Sequence, residues 1–417
     1  MTTASAVEAE DHLAGVPRPQ PLGALPWPAG MLVVPSVEGA DAVCAALVAG
    51  EPVAQWPEQL AFLDAALSGA DPQTAAALVP GDDVVARYNR AVLVGAEPPA
   101  WQAIADASAG PLRALVDTAR FSLGVVDEPP APTGGDDEIA AVVLSARASA
   151  LLEQGDAEGA VAELRLAVAA ARAAGSPVLL AMLGTARSDL LRERVGDAVA
   201  AAAQADEVLR GMPMTFVPEV RAEALVARAL ARQETAGDSR GPLMAVVADL
   251  QEALRFYTEQ DHPEMWATCN EHLALAYLVM PMGDAGDRLR LGIAVTSLRS
   301  ALRVLRPETH PAAWASCQIN LANALQYLPS AYQKDHLDEA VQLYEEVLQH
   351  PSASRDPVGV ARILVNQGNA LAHLGVLDDA EERVSAARAT FEAYGVAEGV
   401  EAADQILGEI AEARARA

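Results

Sequence analysis

A short motif occurs twice in the second half of this chain and sets the period of its fold. The order His-Pro, then Trp-Ala three residues after the proline, then a cysteine, starts at His262 and again at His310. The copies begin 48 residues apart, and Pro357 follows the second proline by 46 residues. A period of this size, opened by proline and continued by a helical pattern, indicates stacked helical hairpins. Such hairpins bury their faces against each other and leave an extended surface for partners.

The last of these units, residues 363–394, carries the fullest pattern. Four small residues stand at positions where two helices must touch: Gly368, Gly375, Ala380 and Ala387. This unit resembles the tetratricopeptide repeat, whose first helix carries Leu-Gly-x-x-aromatic and whose second carries alanine, an aromatic residue and alanine. Gln367 and Leu371 stand where the family has its leucine and its aromatic residue, so the match is partial.

The resemblance extends over about residues 138–395. Earlier units with the same small and apolar positions span 138–175, 177–211, 218–260, 263–309 and 311–350. It implies an all-α, right-handed superhelix (an α-solenoid) of about six tetratricopeptide-like hairpins, preceded by a smaller helical N-terminal region. Residues 396–417 are predicted to form a helix that covers the apolar end of the array.

Proline and glycine divide the rest of the chain. Residues 1–30 hold five closely spaced prolines beyond position 16 and are predicted to be a mobile segment. Residues 127–137 are predicted to be a linker before a repeat array that folds without the preceding residues. The region between them, 31–126, lacks a clear period and is either a set of degenerate repeats or a separate helical region. Its predicted helical stretches are 39–49, 57–68, 82–94 and 110–122.

The composition favours helices and argues against nucleic acid as a partner. Hydrophobic residues make up 52% of the 417 residues, yet aromatic residues make up only 4%, and small apolar side chains suit close helix contacts. The formal net charge is −28, which repels phosphate backbones and anionic lipid. A protein partner with a basic or arginine-rich segment is the expectation.

Three cysteines in a chain of this length do not make a disulfide framework. The first eleven residues show neither a basic stretch nor an apolar stretch of a secretion signal. No run approaches the 18 apolar residues of a membrane span. We therefore expect a cytoplasmic protein.

Sequence motifs for catalysis are missing. The chain has no Gly-x-Gly-x-x-Gly, no phosphate loop and no Gly-x-Ser-x-Gly, so we expect neither an enzyme nor a cofactor. Cys269 and His272, three residues apart, suggest a metal site. Cys317 occupies the same repeat position as Cys269, however, and a small apolar residue packing between helices explains both. No bound metal is therefore expected.

Polar residues recur at two positions of the first helices. In the family, these positions line the concave groove and hydrogen-bond the backbone of a bound peptide, and an asparagine side chain can both donate and accept. The alternative is that these asparagines tie adjacent turns together within the repeat. The candidate groove residues are Asn320, Asn323, Asn366 and Asn369, with His272 at the first of the two positions and Arg362 one turn before Asn366.

These features predict a non-catalytic cytosolic adaptor or scaffold that binds a partner segment in the concave groove. An alternative is an accessory or assembly factor that holds a subunit of a multisubunit enzyme, such as a metalloenzyme, during maturation. A peptide-responsive regulator is a third class, but it needs a basic DNA-reading helix that the N-terminal region lacks. The inserted turns at 282–292 and 328–335 are other surfaces on which a partner could bind.

Overall fold

The fold of the chain is described from a computed structural model. The structure describes residues 29–49, 51–134, 138–212, 218–281, 286–328, 330–350 and 356–416. Helices and their connecting turns account for these residues, and no β-strand occurs among them. Most of the predicted mobile segment (residues 1–28), the end of the predicted linker (135–137) and parts of the inserted turns (282–285 and 329) lie outside them.

Six α-helices precede the repeats. They are α1 (Ala40–Ala49), α2 (Ala61–Leu67), α3 (Pro72–Ala77), α4 (Val84–Val94), α5 (Pro98–Asp106) and α6 (Gly110–Ser122). The four predicted stretches each coincide with a helix or, for 57–68, with a 3-10 turn followed by α2. The sequence analysis did not predict α5, because two prolines open it, although proline is well tolerated in the first turn of a helix.

Thirteen α-helices follow, and from α7 onward they form consecutive hairpins and a final single helix. They are α7 (Glu138–Glu153), α8 (Ala157–Ala173), α9 (Pro177–Leu190), α10 (Ala198–Arg210), α11 (Pro218–Ala236), α12 (Arg240–Ala253), α13 (Pro263–Val279), α14 (Asp287–Ala301), α15 (Pro311–Tyr327), α16 (Gln333–Gln349), α17 (Pro357–Leu374), α18 (Leu377–Ala393) and α19 (Ala397–Arg416).

The chain divides into two compact units, and the boundary between Ala231 and Arg232 falls inside α11. In the first unit, α7 packs on α8, α8 on α9 and α9 on α10. In the second unit, each helix from α12 to α19 packs on the next one along the chain. The first helices of successive hairpins also touch, α13 against α15 and α15 against α17. The predicted all-α, tetratricopeptide-like solenoid is confirmed.

The starts of the first helices have a local cause. Proline occupies the first position of α9, α13, α15 and α17, where its missing N–H costs nothing. At α17 the carboxylate of Asp356 also accepts a hydrogen bond from the Gly359 N–H at 2.9 Å. The helix ends at Gly375, whose φ of 81° lies in the left-handed region that glycine adopts without strain.

Within a hairpin, the two helices approach more closely than a side chain would allow. A Cβ atom added at Gly368 of α17 would lie 2.4 Å from a methyl of Val384 and 3.2 Å from the carbonyl oxygen of Ala380, both on α18. Ala380, Val384 and Ala387 are fully buried at this contact. Three of the four small residues that carried the family resemblance, Gly368, Ala380 and Ala387, therefore lie at the helix contact. The prediction was wrong for Gly375, which ends α17 and where an added Cβ atom would have no neighbour within 4 Å.

The N-terminal region is held together by an asparagine inside the first unit. The buried Asn89 of α4 accepts a hydrogen bond from the Val33 N–H at 2.9 Å and donates one to the Val33 carbonyl at 2.9 Å. Tyr88 donates to the carbonyl of Met31 at 2.9 Å. Further along, α6 packs on α7, and Arg147 of α7 donates to the carbonyl of Pro130. A division of the chain at 127–137 stays a prediction.

The last helix, α19, packs on α18 and α17 and buries Ala403 and Ile410 against them. These two residues join an apolar cluster with Val384 and Phe391 of α18. None of the helices in the described residues combines the length and the apolar character that crossing a membrane requires.

We expect Ala380→Arg to lower the free energy of unfolding by about 3 kcal/mol or more, because the buried site offers a long charged side chain neither room nor a partner. Chemical denaturation followed by circular dichroism measures the change. Ala389→Arg, at an exposed position of the same helix, is the matched control and should leave the stability nearly unchanged. Equal stability of the Ala380 variant and the wild type would contradict the contact.

Candidate functional site

A cavity of about 640 Å³ opens between α15 and α17, the first helices of two successive hairpins. Its floor is apolar and its edges carry amide and charged groups. The apolar lining is Pro311, Ala312, Ala315, Ile319, Val347, Val360 and Ile363; the polar lining is Asn323, Asp356, Arg362 and Asn366, and Gly359 completes it. Three of the six predicted groove residues therefore lie together in one cavity: Asn323, Arg362 and Asn366.

The two asparagines at this cavity are joined to each other. Asn366 of α17 donates from Nδ2 to Oδ1 of Asn323 on α15 at 3.0 Å. The buried Tyr344 of α16 donates its hydroxyl hydrogen to the same oxygen. Among the described residues, Nδ2 of Asn323 and Oδ1 of Asn366 make no hydrogen bond. One donor and one acceptor are thus left for a ligand, while the remaining atoms link successive hairpins.

One helical turn further along α15 and α17, a second set of hydrogen bonds connects the same two helices outside the cavity. Asn369 of α17 donates to Oε1 of Gln326 on α15 at 3.2 Å, and Gln326 donates to the hydroxyl of Tyr344 at 2.8 Å. Asn320 makes a weaker bond of 3.4 Å to Ser316 within α15. Asn369 and Asn320 are not part of the cavity lining. The sequence analysis did not predict Tyr344 and Gln326 as site residues, because the aromatic position of the second helix, where Tyr344 stands, indicates packing only, and Gln326 belongs to no recurring pattern.

Arg362 stands at the edge of the cavity with its side chain exposed. It forms no ion pair with any of the described residues. The other charged residue of the lining, Asp356, lies at the start of the same helix, where its carboxylate caps the Gly359 N–H. A guanidinium in this position can donate several hydrogen bonds to a bound chain.

His272 lies elsewhere, on α13. Its Nδ1 is 2.8 Å from Oε1 of Gln233 on α11, and Gln233 donates from Nε2 to the His272 carbonyl. Cys269, one turn earlier, is fully buried, and burial raises the pKa of its thiol to about 12. In the described parts of the chain, no group of three His, Cys, Asp or Glu residues is arranged to hold a metal ion.

The first helices share a register that can be counted from their opening proline. Ile319 and Asn323 are eight and twelve residues after Pro311, and Arg362 is five residues after Pro357; all three line the cavity. The preceding pair of first helices, α13 and α15, shows a similar relation between these positions. Burial raises the pKa of Glu271, eight residues after Pro263, while the neighbouring side chains of Ser316 and Cys317, five and six residues after Pro311, act in the opposite direction. Position 8 of one first helix therefore lies beside positions 5 and 6 of the next.

The same register identifies an acidic pair in the first unit that the sequence analysis missed. Asp189 is at position 12 of α9, and Glu223 is at position 5 of α11, counted from Pro177 and Pro218. Burial raises the pKa of Asp189 to about 6. Burial also raises the pKa of Glu223, and the nearby charges of Glu219 and Asp189 raise it further. Counting from the prolines could have found this pair in the sequence.

Three solved structures similar to this chain are tetratricopeptide repeat proteins. A tetratricopeptide repeat protein from Parabacteroides merdae ATCC 43184 has 17% identity over 64% of this chain and 97% of that chain, with a TM-score of 0.32. The TPR2AB domain of yeast Sti1, in a complex with pHSP90, has 14% identity over 65% and 98%, with a TM-score of 0.25. The P58(IPK) TPR domain has 16% identity over 84% and 98%, with a TM-score of 0.25.

No family model matches the chain, and no curated protein does. With TM-scores this low, the three likenesses support no statement about the geometry of the site. The class follows from the chain itself: its proline-opened first helices, its consecutive hairpins and its small-residue contacts make it a tetratricopeptide-like repeat protein.

We expect Asn323→Ala to lower the free energy of unfolding by about 1–3 kcal/mol, because it leaves Tyr344 and Asn366 without their shared acceptor. The double variant with Asn366→Ala should lose less than the sum of the single variants, by about 0.5 kcal/mol or more. Chemical denaturation of the four proteins measures this coupling. Asn320→Ala is the control and should cost less, and strictly additive losses would contradict the connection.

We expect the stability of the wild type to fall relative to that of Asp189→Asn between pH 5 and pH 8. Because the pKa of Asp189 rises from 3.8 to about 6 on folding, the stabilisation from its retained proton is complete below pH 4. It is lost as the pH rises through 6. The advantage of the variant should therefore grow by roughly 1 kcal/mol over this interval. Urea denaturation at both pH values measures it, and an unchanged difference would contradict the raised pKa.

Proposed function

We propose that this chain is a non-catalytic adaptor that binds an extended segment of a partner protein in the cavity between α15 and α17. The observation that carries the proposal is the composition of that cavity. Its volume is about 640 Å³, its lining is mostly apolar, and amide groups and one exposed arginine complete it. Ligand sites in proteins combine a mostly apolar surface with a few placed polar groups in this way.

An extended segment fits the polar groups. Nδ2 of Asn323 can donate to a main-chain carbonyl of the segment, and Oδ1 of Asn366 can accept from a main-chain N–H. A small aliphatic side chain of the segment would then contact Ile319 and Val360 in the floor. Arg362 supplies further donors at the edge. Each hydrogen bond of this kind contributes about 0.5–1.5 kcal/mol net, so affinity would depend on the apolar contact as well.

The net charge of the chain indicates the charge of the segment that the partner contributes. A formal net charge of −28 attracts basic segments and accelerates their association at low salt. The proposed partner is therefore a protein whose binding segment contains lysine or arginine.

A non-catalytic role is proposed because the described site offers amide and guanidinium groups in place of an activated nucleophile. The three cysteines are buried thiols outside any disulfide of the described residues, and burial raises the pKa of Cys269 and Cys317 far above the range of reactive thiols. Cysteines kept as thiols also fit a reducing compartment, and we propose the cytoplasm as the location.

Photo-crosslinking in the native host tests the function. The full chain carries p-benzoylphenylalanine in place of Ala312, which is exposed at the cavity, or in place of Ala389, which is exposed on α18. We expect one partner protein to be captured from position 312 and not from position 389, through a single segment identified by mass spectrometry.

A variant in which a larger side chain fills the cavity provides a second test. Ala315→Trp, in the chain that carries the crosslinker at 312, should abolish capture, because the indole would occupy the space of the segment. Circular dichroism checks that this variant is folded. Equal capture from positions 312 and 389, or undiminished capture by the filled variant, would refute binding in the cavity.

A further inference from the structure

The groove between α9 and α11 in the first unit has the register of the cavity between α15 and α17 but a different chemistry. Positions 8 and 12 of the earlier helix are Thr185 and Asp189 here, where the second unit has Ile319 and Asn323. Position 5 of the later helix is Glu223, where the second unit has Arg362. Carboxylates therefore replace an amide and a guanidinium at matching sites.

Thr185 is an independent sign that this groove takes a polar ligand. Its side chain is buried, with 6% of the residue exposed. Its Oγ1 atom has no hydrogen-bond partner among the described residues. Ile319, at the same position 8, lines the cavity between α15 and α17 together with Arg362 at position 5 of the next first helix, and by this register Thr185 belongs to the same groove as Glu223. A buried hydroxyl without a partner destabilises the fold, and a bound donor would remove that cost.

The local charge favours a cation. Asp189 and Glu223 are close enough to raise the pKa of Glu223 through their mutual repulsion, and Glu219 adds to this effect. In the π-helical turn that follows α9, Glu193 opposes the ionisation of Asp189 while Arg192 favours it, and Arg192 donates to Glu193. The charges that act on this pair are therefore mostly acidic.

We propose that the α9/α11 groove binds one lysine or arginine side chain of a protein partner, held between Asp189 and Glu223 with Thr185 Oγ1 as a third acceptor. This inference rests on the proposed function and specifies the chemistry of the partner. A lysine ammonium has three N–H donors, which match the two carboxylates and the hydroxyl. A divalent metal ion fits less well, because the described residues present no cluster of three His, Cys, Asp or Glu that could hold one.

A random peptide library displayed on phage and selected on the full chain tests the proposal. The wild type should enrich sequences with a lysine or arginine at one fixed position. The double variant Asp189→Asn with Glu223→Gln should enrich sequences without this basic position. The matched control changes two exposed acids of α19, Glu398→Gln with Glu401→Gln, so that the net charge changes equally, and it should select as the wild type does.

Fluorescence anisotropy with one selected peptide then isolates the contact. Replacement of its basic residue by norleucine, which keeps the aliphatic chain and removes the charge, should weaken binding to the wild type at least tenfold. The same replacement should change the affinity of the double variant less than twofold. Thermal melting of each protein checks its fold.

The outcomes separate the two proposals. If norleucine weakens binding equally in the wild type and the double variant, the basic residue binds elsewhere and the present inference is overturned. Calcium or magnesium binding to the wild type that the double variant loses would also overturn it, in favour of a metal site. A wild type that enriches no peptide would overturn both proposals, whereas enrichment of apolar peptides without a basic position would overturn this one alone.

Discussion

The close approach of two helices at residues with little or no side chain is the interaction on which the rest of the structure depends. At Gly368 the facing atoms of α18 leave no space for a Cβ atom, and the buried alanines of α18 continue the contact. Interiors are packed so densely that even one additional methyl group must displace a neighbour. The angle and spacing of each hairpin are thus set by where the small residues stand, and the first helices follow one another in a constant register.

Because of that register, residues at equivalent positions of successive first helices form one surface. Position 12 of one first helix and position 5 of the next line one cavity in the second unit, as Asn323 and Arg362, and interact through their charges in the first unit, as Asp189 and Glu223. One scaffold geometry can therefore present an amide and a guanidinium in one groove and two carboxylates in another. The chemistry of a groove changes with two or three side chains and leaves the helix contacts beneath it untouched, as expected for sites carried on a repeated fold.

The asparagines show how structural and binding roles share one side chain. Oδ1 of Asn323 accepts from Tyr344 and Asn366, which ties two hairpins together, while its Nδ2 remains available among the described residues. An amide has separate donor and acceptor atoms, so the two roles do not exclude each other. Asn89 uses both of its atoms on the backbone of Val33 within the chain itself. This contact is an intramolecular example of an asparagine side chain that binds a main-chain N–H and a main-chain carbonyl together.

Much of the fold was predictable because its causes are local. Proline at the first helical position, small residues at the contacts and the 46- to 48-residue period are all visible along the chain, and they predicted the hairpins and most helix boundaries. Of the candidate site, the sequence indicated Asn323, Arg362 and Asn366, which the structure brings into one cavity. It also indicated His272, Asn320 and Asn369, which lie outside that lining.

Only the tertiary structure decided which atoms of those residues are already engaged, and which apolar residues form the floor beside them. A period predicts which positions face the same way, whereas the hydrogen bond from Tyr344 to Asn323 depends on how α16 packs against α15. The raised pKa of Asp189 was hidden for the same reason, since burial is a property of the packed groove and of no single helix. Hence the sequence by itself determined the class of fold and the face of each first helix. The packing of neighbouring hairpins determined what that face can bind.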